Sequence, residues 1–153
     1  MALISKAVSA ACLETFQFEL LWWAARCTSI QMAGDSMSGV PRLVLESAMD
    51  DWISDYEIQG DFQAELSLAP RTAYQHMVHL VADWLRREVL VAGDMLGAFT
   101  PWRESASQAA ERFAERAMTL HVVTAPGQIC WFDAGPSASS EFLRIDFPER
   151  SGE

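Results

Sequence analysis

The sequence predicts an α+β domain of about four helices with a small, mostly antiparallel sheet of short strands near the carboxyl end. Three observations predict it. Apolar residues recur at steps of three and four through most of the chain, the spacing of amphipathic helices. Short aromatic and β-branched runs collect late. Gly- and Pro-rich punctuation separates the segments, so helices come first and strands follow.

Residues 2–27 read as the first helix, on Leu13, Phe16, Leu20 and Trp23, with Leu21 and Trp22 widening the stripe. Residues 33–41 carry two Gly, two Ser and a Pro and read as loop. Pro41 suits the first turn of a helix, where its missing N–H has no partner to lose. That helix runs over residues 42–58 on Leu45, Met49, Trp52, Ile53 and Tyr56, with Gly60 as its cap. Between Asp61 and Ala69, Phe62, Ala64, Leu66 and Leu68 alternate with polar residues, which predicts a short strand. Pro70 opens a helix to about Val89 on Tyr74, Met77, Val81, Trp84 and Leu85. Residues 97–102 read as a loop anchored by Phe99 and Trp102. Ser105 and Gln108 have capping-box spacing and start a helix whose inner face is Ala109, Phe113, Ala117 and Leu120. Thr124–Gly127 is a turn. Residues 128–133 form a strand, and Phe142, Leu143, Ile145 and Phe147 a last strand before Pro148.

The 153 residues suit one domain spanning 1–153, since domains most often hold about 100–150 residues. Half of them are hydrophobic, with six Trp and eight Phe, so a sizeable core is expected and the composition argues against disorder. The formal charge of −10 argues against nucleic acid and against anionic lipid, both of which need a basic face. Three cysteines, Cys12, Cys27 and Cys130, without a C-x-x-C, fit reduced thiols rather than a disulfide framework. The short apolar stretch before Cys12 is too brief for a signal peptide, and no run approaches the roughly 20 apolar residues of a membrane span. The expected location is the cytoplasm, with no membrane.

Catalytic and metal chemistry finds little footing. His76, His79 and Asp83 share one helix face, as ligands of a divalent cation would, but Arg86 and Arg87 lie beside them and no further ligand stands out. Cys130, with His121 and Asp133, has the residue types of a thiolate site, yet lies between Ile129 and Trp131 in an apolar strand. No phosphate loop and no nucleophile elbow occurs. The expectation is no enzyme, no metal and no cofactor.

Charge patterning is more informative. Seven of the 21 acids, Glu46, Asp50, Asp51, Asp55, Glu57, Asp61 and Glu65, fall in a window holding no Lys or Arg. Trp52, Tyr56 and Phe62 are interleaved with them. Such a surface suits a basic protein partner: charge speeds encounter and selects the partner, and Trp and Tyr supply contact energy. The predicted binding residues are Glu46, Asp50, Asp51, Trp52, Asp55, Tyr56 and Asp61.

The second half of the chain contains Val91-Ala92-Gly93-Asp94, then Phe99-Thr100-Pro101-Trp102, then Gln128-Ile129-Cys130-Trp131-Phe132. Over residues 72–133 this pattern resembles small bacterial proteins that are similar to immunity proteins encoded beside toxins. The resemblance implies neutralisation of a toxin, such as a nuclease domain, by tight binding without catalysis. A regulatory adaptor acting through protein partners is an alternative. So is a small-ligand domain with a pocket of Trp22, Trp84, Trp102 and Trp131.

Overall fold

The computed structural model describes residues 39–146. The predicted helix over 2–27, with Trp22, Cys12 and Cys27, lies outside them. The described residues form an α+β arrangement of five helices and one four-stranded antiparallel sheet.

Helix α1 (Gly39–Asp50) buries Val40, Val44, Leu45 and Ala48 along one stripe, with Pro41 in its first turn. The helix predicted over 42–58 is in fact interrupted. Asp51 and Trp52 turn the chain, Ile53–Ser54 form strand β1, and a second helix, α2 (Asp55–Leu66), begins. A capping box starts it: the Glu57 N–H donates to Ser54 Oγ at 3.3 Å, and the Ser54 N–H donates to Glu57 Oε2 at 2.8 Å. Both groups satisfy donors that the first turn leaves unpaired. Gly60 does not end this helix. It runs on through the alternating stretch predicted as a strand and stops at Ser67, in the left-handed conformation at φ 51°.

Helix α3 (Pro70–Arg86) starts with Pro at the first position, as expected, and buries Ala73, Tyr74, Met77, Val81, Trp84 and Leu85. It ends before the predicted Val89, where Glu88 turns left-handed at φ 57°. Strand β2 (Leu90–Met95) and strand β3 (Phe99–Pro101) then form a hairpin around Gly97, φ +82°. The predicted loop at 97–102 is thus partly strand. Helix α4 (Ala106–Met118) carries the expected Ser105/Gln108 capping box and buries Ala109, Ala110, Phe113 and Ala117. Strand β4 (Trp131–Ala134) follows the Gly127 turn. The final predicted strand is a helix, α5 (Ala138–Asp146): Ala138, Glu141, Phe142 and Ile145 follow helical spacing on its inner side.

The sheet order is β1-β4-β2-β3 with every pair antiparallel. Only β4 lies late in the chain. β1 precedes four of the five described helices, so the sheet is not confined to the carboxyl end. Side chains alternate between its faces. On one face Ile53, Phe132, Ala92 and Leu90 are fully buried, and Phe113 of α4 meets Phe132 edge-on with ring centres 5.8 Å apart. This face joins Trp84, Met77 and Leu45 in the core. The opposite face carries Val91, Gly93, Met95, Phe99, Pro101, Trp131 and Asp133, and its large side chains are half-buried.

Candidate functional site

The predicted partner surface runs from Glu46 to Asp61, and the structure divides it. Trp52 and Tyr56 keep 41% and 45% of their surface exposed, and Asp50 and Asp51 are exposed beside them. Asp51 Oδ1 accepts the Trp52 backbone N–H at 2.7 Å, which ties this carboxylate to the turn before β1. Trp52 in turn stacks on Phe99, with centroids 6.1 Å apart and planes inclined by 22°.

Asp55 leaves the predicted set. It is completely buried, and its carboxylate accepts backbone N–H groups from Tyr56 and Gly127 at 2.8 Å and from Ile129 at 2.6 Å. Burial pushes its carboxyl up, and the N–H donors of Ile129, Gly127 and Tyr56 oppose that. One turn on, buried Gln59 accepts the Val123 N–H at 2.8 Å and donates to the Val123 carbonyl at 3.2 Å. Asp55 and Gln59 therefore hold the connection between α4 and β4 in place. An acid next to exposed Tyr56 looks like surface in the sequence; two of its three N–H donors, Gly127 and Ile129, lie more than 70 residues away, and local pattern carries no trace of them.

Glu46 is also altered. Arg42, four residues earlier on α1, pairs with it at 3.0 Å and reaches Asp146 at 3.2 Å. Among the described residues, no ion pair includes Asp50, Asp51, Glu57, Asp61 or Glu65. Glu57, Asp61 and Glu65 follow one another at four-residue steps along α2. Partial burial, and then the charges of Glu57 and Glu65, push the Asp61 carboxyl up. That ridge is a concentration of like charge without internal compensation from the described part of the chain.

The residues that carry the resemblance mostly build the fold. Gly93 cannot bear a side chain: a Cβ there would lie 2.5 Å from the Thr100 carbonyl and 2.7 Å from the Phe99 ring. Asp94 accepts the Trp102 indole N–H at 2.9 Å, while Arg112 lies 4.0 Å and Arg116 5.0 Å over that indole. Trp131 rests on Gly127, where a Cβ would meet its Nε1.

The other candidate chemistries are not assembled. His76 stacks on Phe62 with centroids 5.6 Å apart, and burial, then His79, pushes its imidazole down. Asp83 pairs with Arg87 at 2.9 Å. Among the described residues, no group of three His, Cys, Asp or Glu is placed to hold a metal ion. Cys130 is buried and its thiol is pushed far up, first by burial and then by Asp55, which disfavours a thiolate. Trp84 is core, and Trp102 borders a hollow with Leu85, Leu90, Ala109 and Pro136, so the described Trp residues do not share one pocket. No helix among the described residues is long and apolar enough to cross a membrane. No protein-family model, curated protein or solved structure matches the chain.

Proposed function

We propose that the chain is a binding protein of the immunity or inhibitor type, acting in the cytoplasm on a basic protein partner such as a toxin domain. The contact surface is Asp50, Asp51, Trp52, Tyr56 and Asp61, extended by Glu57 and Glu65. One observation carries this reading: two large aromatic side chains stand exposed among carboxylates that no described Lys or Arg neutralises. Like charges so placed work against the folded state, and the exposed part of Trp52 forgoes a share of the about 1.5–3 kcal/mol that full burial of a large apolar side chain is worth. A basic partner relieves both penalties at once. Aromatic residues supply contact energy at the centre of such an interface, and the carboxylates accelerate encounter and reject acidic competitors. If the partner is a nuclease, the carboxylates occupy positions that substrate phosphates would take. The resemblance over residues 72–133 points the same way.

The test titrates the full-length protein with the product of the neighbouring gene by calorimetry and stopped flow. Asp50→Lys with Asp51→Lys is expected to weaken binding at least about tenfold and to slow association, because rim charges act mainly on the on-rate. Association of the unaltered protein slows as salt rises, since exposed charges are screened. Binding that ignores both salt and charge reversal excludes the mechanism.

A further inference from the structure

The face of the sheet turned away from the core gives that surface a finer chemical definition. Pairing of Ile53 with Phe132 sets Trp52 opposite Asp133 in the same register. Two acids thus neighbour Trp52, Asp51 along the chain and, by register, Asp133 on the adjoining strand, whose Oδ1 accepts the Ala134 N–H at 2.8 Å. Its ring stacks on Phe99, which arrives from the far edge strand and crosses Gly93 because no Cβ stands in the way. No ion pair of the described residues includes Asp51 or Asp133. The result is a part-exposed indole with two acids beside it in chain and register that no described ion pair includes.

We propose that the exposed part of the Trp52 indole, backed by Phe99 on this sheet face, seats an arginine side chain of the basic partner; the proposal rests on the partner-binding reading above. A guanidinium stacks flat on an indole while its edge N–H groups fork to carboxylates, which a lysine ammonium cannot do. The chain already builds this arrangement internally. Arg112 lies 4.0 Å over the Trp102 ring and 3.8 Å from Asp94, the same acid that holds the indole N–H. Trp52 with Asp51 and Asp133 repeats the set with the arginine left for a partner to supply.

The experiment uses the full-length protein with an oligoarginine peptide and an oligolysine peptide of equal length, at physiological salt. Binding is read by calorimetry and by the indole N–H resonances, with that of Trp52 assigned from Trp52→Phe. Oligoarginine is expected to bind about two- to fivefold tighter than oligolysine, the ratio set by a cation–π contact of about 0.5–1 kcal/mol, and to shift the Trp52 resonance most. Trp52→Leu should bring the two affinities to near parity, weakening oligoarginine more than oligolysine. The resonance shift is measured on the unaltered protein and so does not depend on how the variant folds. Equal affinities with an unmoved Trp52 resonance overturn the aromatic seat; if Asp51→Lys still weakens both peptides, the acidic surface survives its loss. Neither peptide binding overturns both. A dimer in sedimentation that Trp52→Leu dissociates assigns the face to a second copy of the chain and also overturns the proposal.

Discussion

Replacement of Asp55 tests whether this acid is a structural fastener rather than a surface charge. In Asp55→Ala three backbone N–H groups lose their acceptor. Tyr56 and Gly127 lie near enough to solvent for water to replace the carboxylate in part. Ile129 is buried, so its N–H is left unpaired, which costs about 1–3 kcal/mol. Loss of charge-assisted bonds at the other two sites adds to this, for a total of about 3–5 kcal/mol. That is a large part of the roughly 5–15 kcal/mol that stabilises a typical domain. Asp55→Asn retains one acceptor oxygen but turns an NH2 group toward an N–H donor, and should lose about 2 kcal/mol. Urea unfolding followed by tryptophan fluorescence reads both variants. At an m-value of about 2 kcal/mol per M, the alanine midpoint falls by roughly 2 M. Hydrogen exchange gives a local check: the amides of Gly127 and Ile129 should lose protection before the rest of β4. An alanine variant within about 1 kcal/mol of the parent, with Ile129 still protected, refutes the fastening role.

Three further outcomes are expected. Gly93→Ala forces a Cβ against the Thr100 carbonyl and the Phe99 ring and should cost about 1–3 kcal/mol in thermal unfolding, with loss of the Trp52–Phe99 stack in near-ultraviolet dichroism. Glu141 is almost fully buried beside Arg144 and Arg87. The Arg144 hydrogen bond, ahead of the Arg87 one, holds its carboxyl at about 2, below the ordinary 4.5. Because the folded value is the lower one, this stabilisation is complete above pH 4.5 and fades as pH falls toward 2. With both arginines solvent-exposed it amounts to about 1–2 kcal/mol, and Glu141→Gln should flatten the acid limb of a stability–pH curve by that amount. Asp61 has the opposite sign. Its carboxyl is pushed up, so the charged form opposes folding once pH rises past it. Asp61→Asn should raise stability at neutral pH by about 0.2–0.5 kcal/mol, a gain that shrinks with added salt.

Legibility followed the range of the interactions. Helices α3 and α4 were readable because their signals are local: Pro70 and the Ser105/Gln108 capping box at their starts, and apolar stripes at helical spacing between. The break between α1 and α2 also had a local signal, Ser54-x-x-Glu57, hidden inside a stretch whose apolar spacing suits one continuous helix. The last segment reads as a strand because Phe142, Leu143, Ile145 and Phe147 resemble one in isolation, whereas Glu141 pairs with Arg144 three residues on and with Arg87 just past the end of α3. Two-residue strand β1 has no pattern of its own and exists by pairing with β4. Of the predicted contact residues, Asp50, Asp51, Trp52 and Tyr56 are exposed, Asp61 is half-buried, Glu46 is paired with Arg42, and Asp55 is interior.

Composition and spacing were enough to establish an acidic α+β chain with a carboxylate-rich, aromatic stretch, because net charge, capping and amphipathic period are properties of neighbours along the backbone. Which of those acids faces water was settled by folding. A carboxylate becomes interior when distant amide groups converge on it, and a tryptophan becomes a platform when a phenylalanine from another strand slides beneath it over a residue with no side chain. Both depend on atoms that are close in space and far apart in sequence.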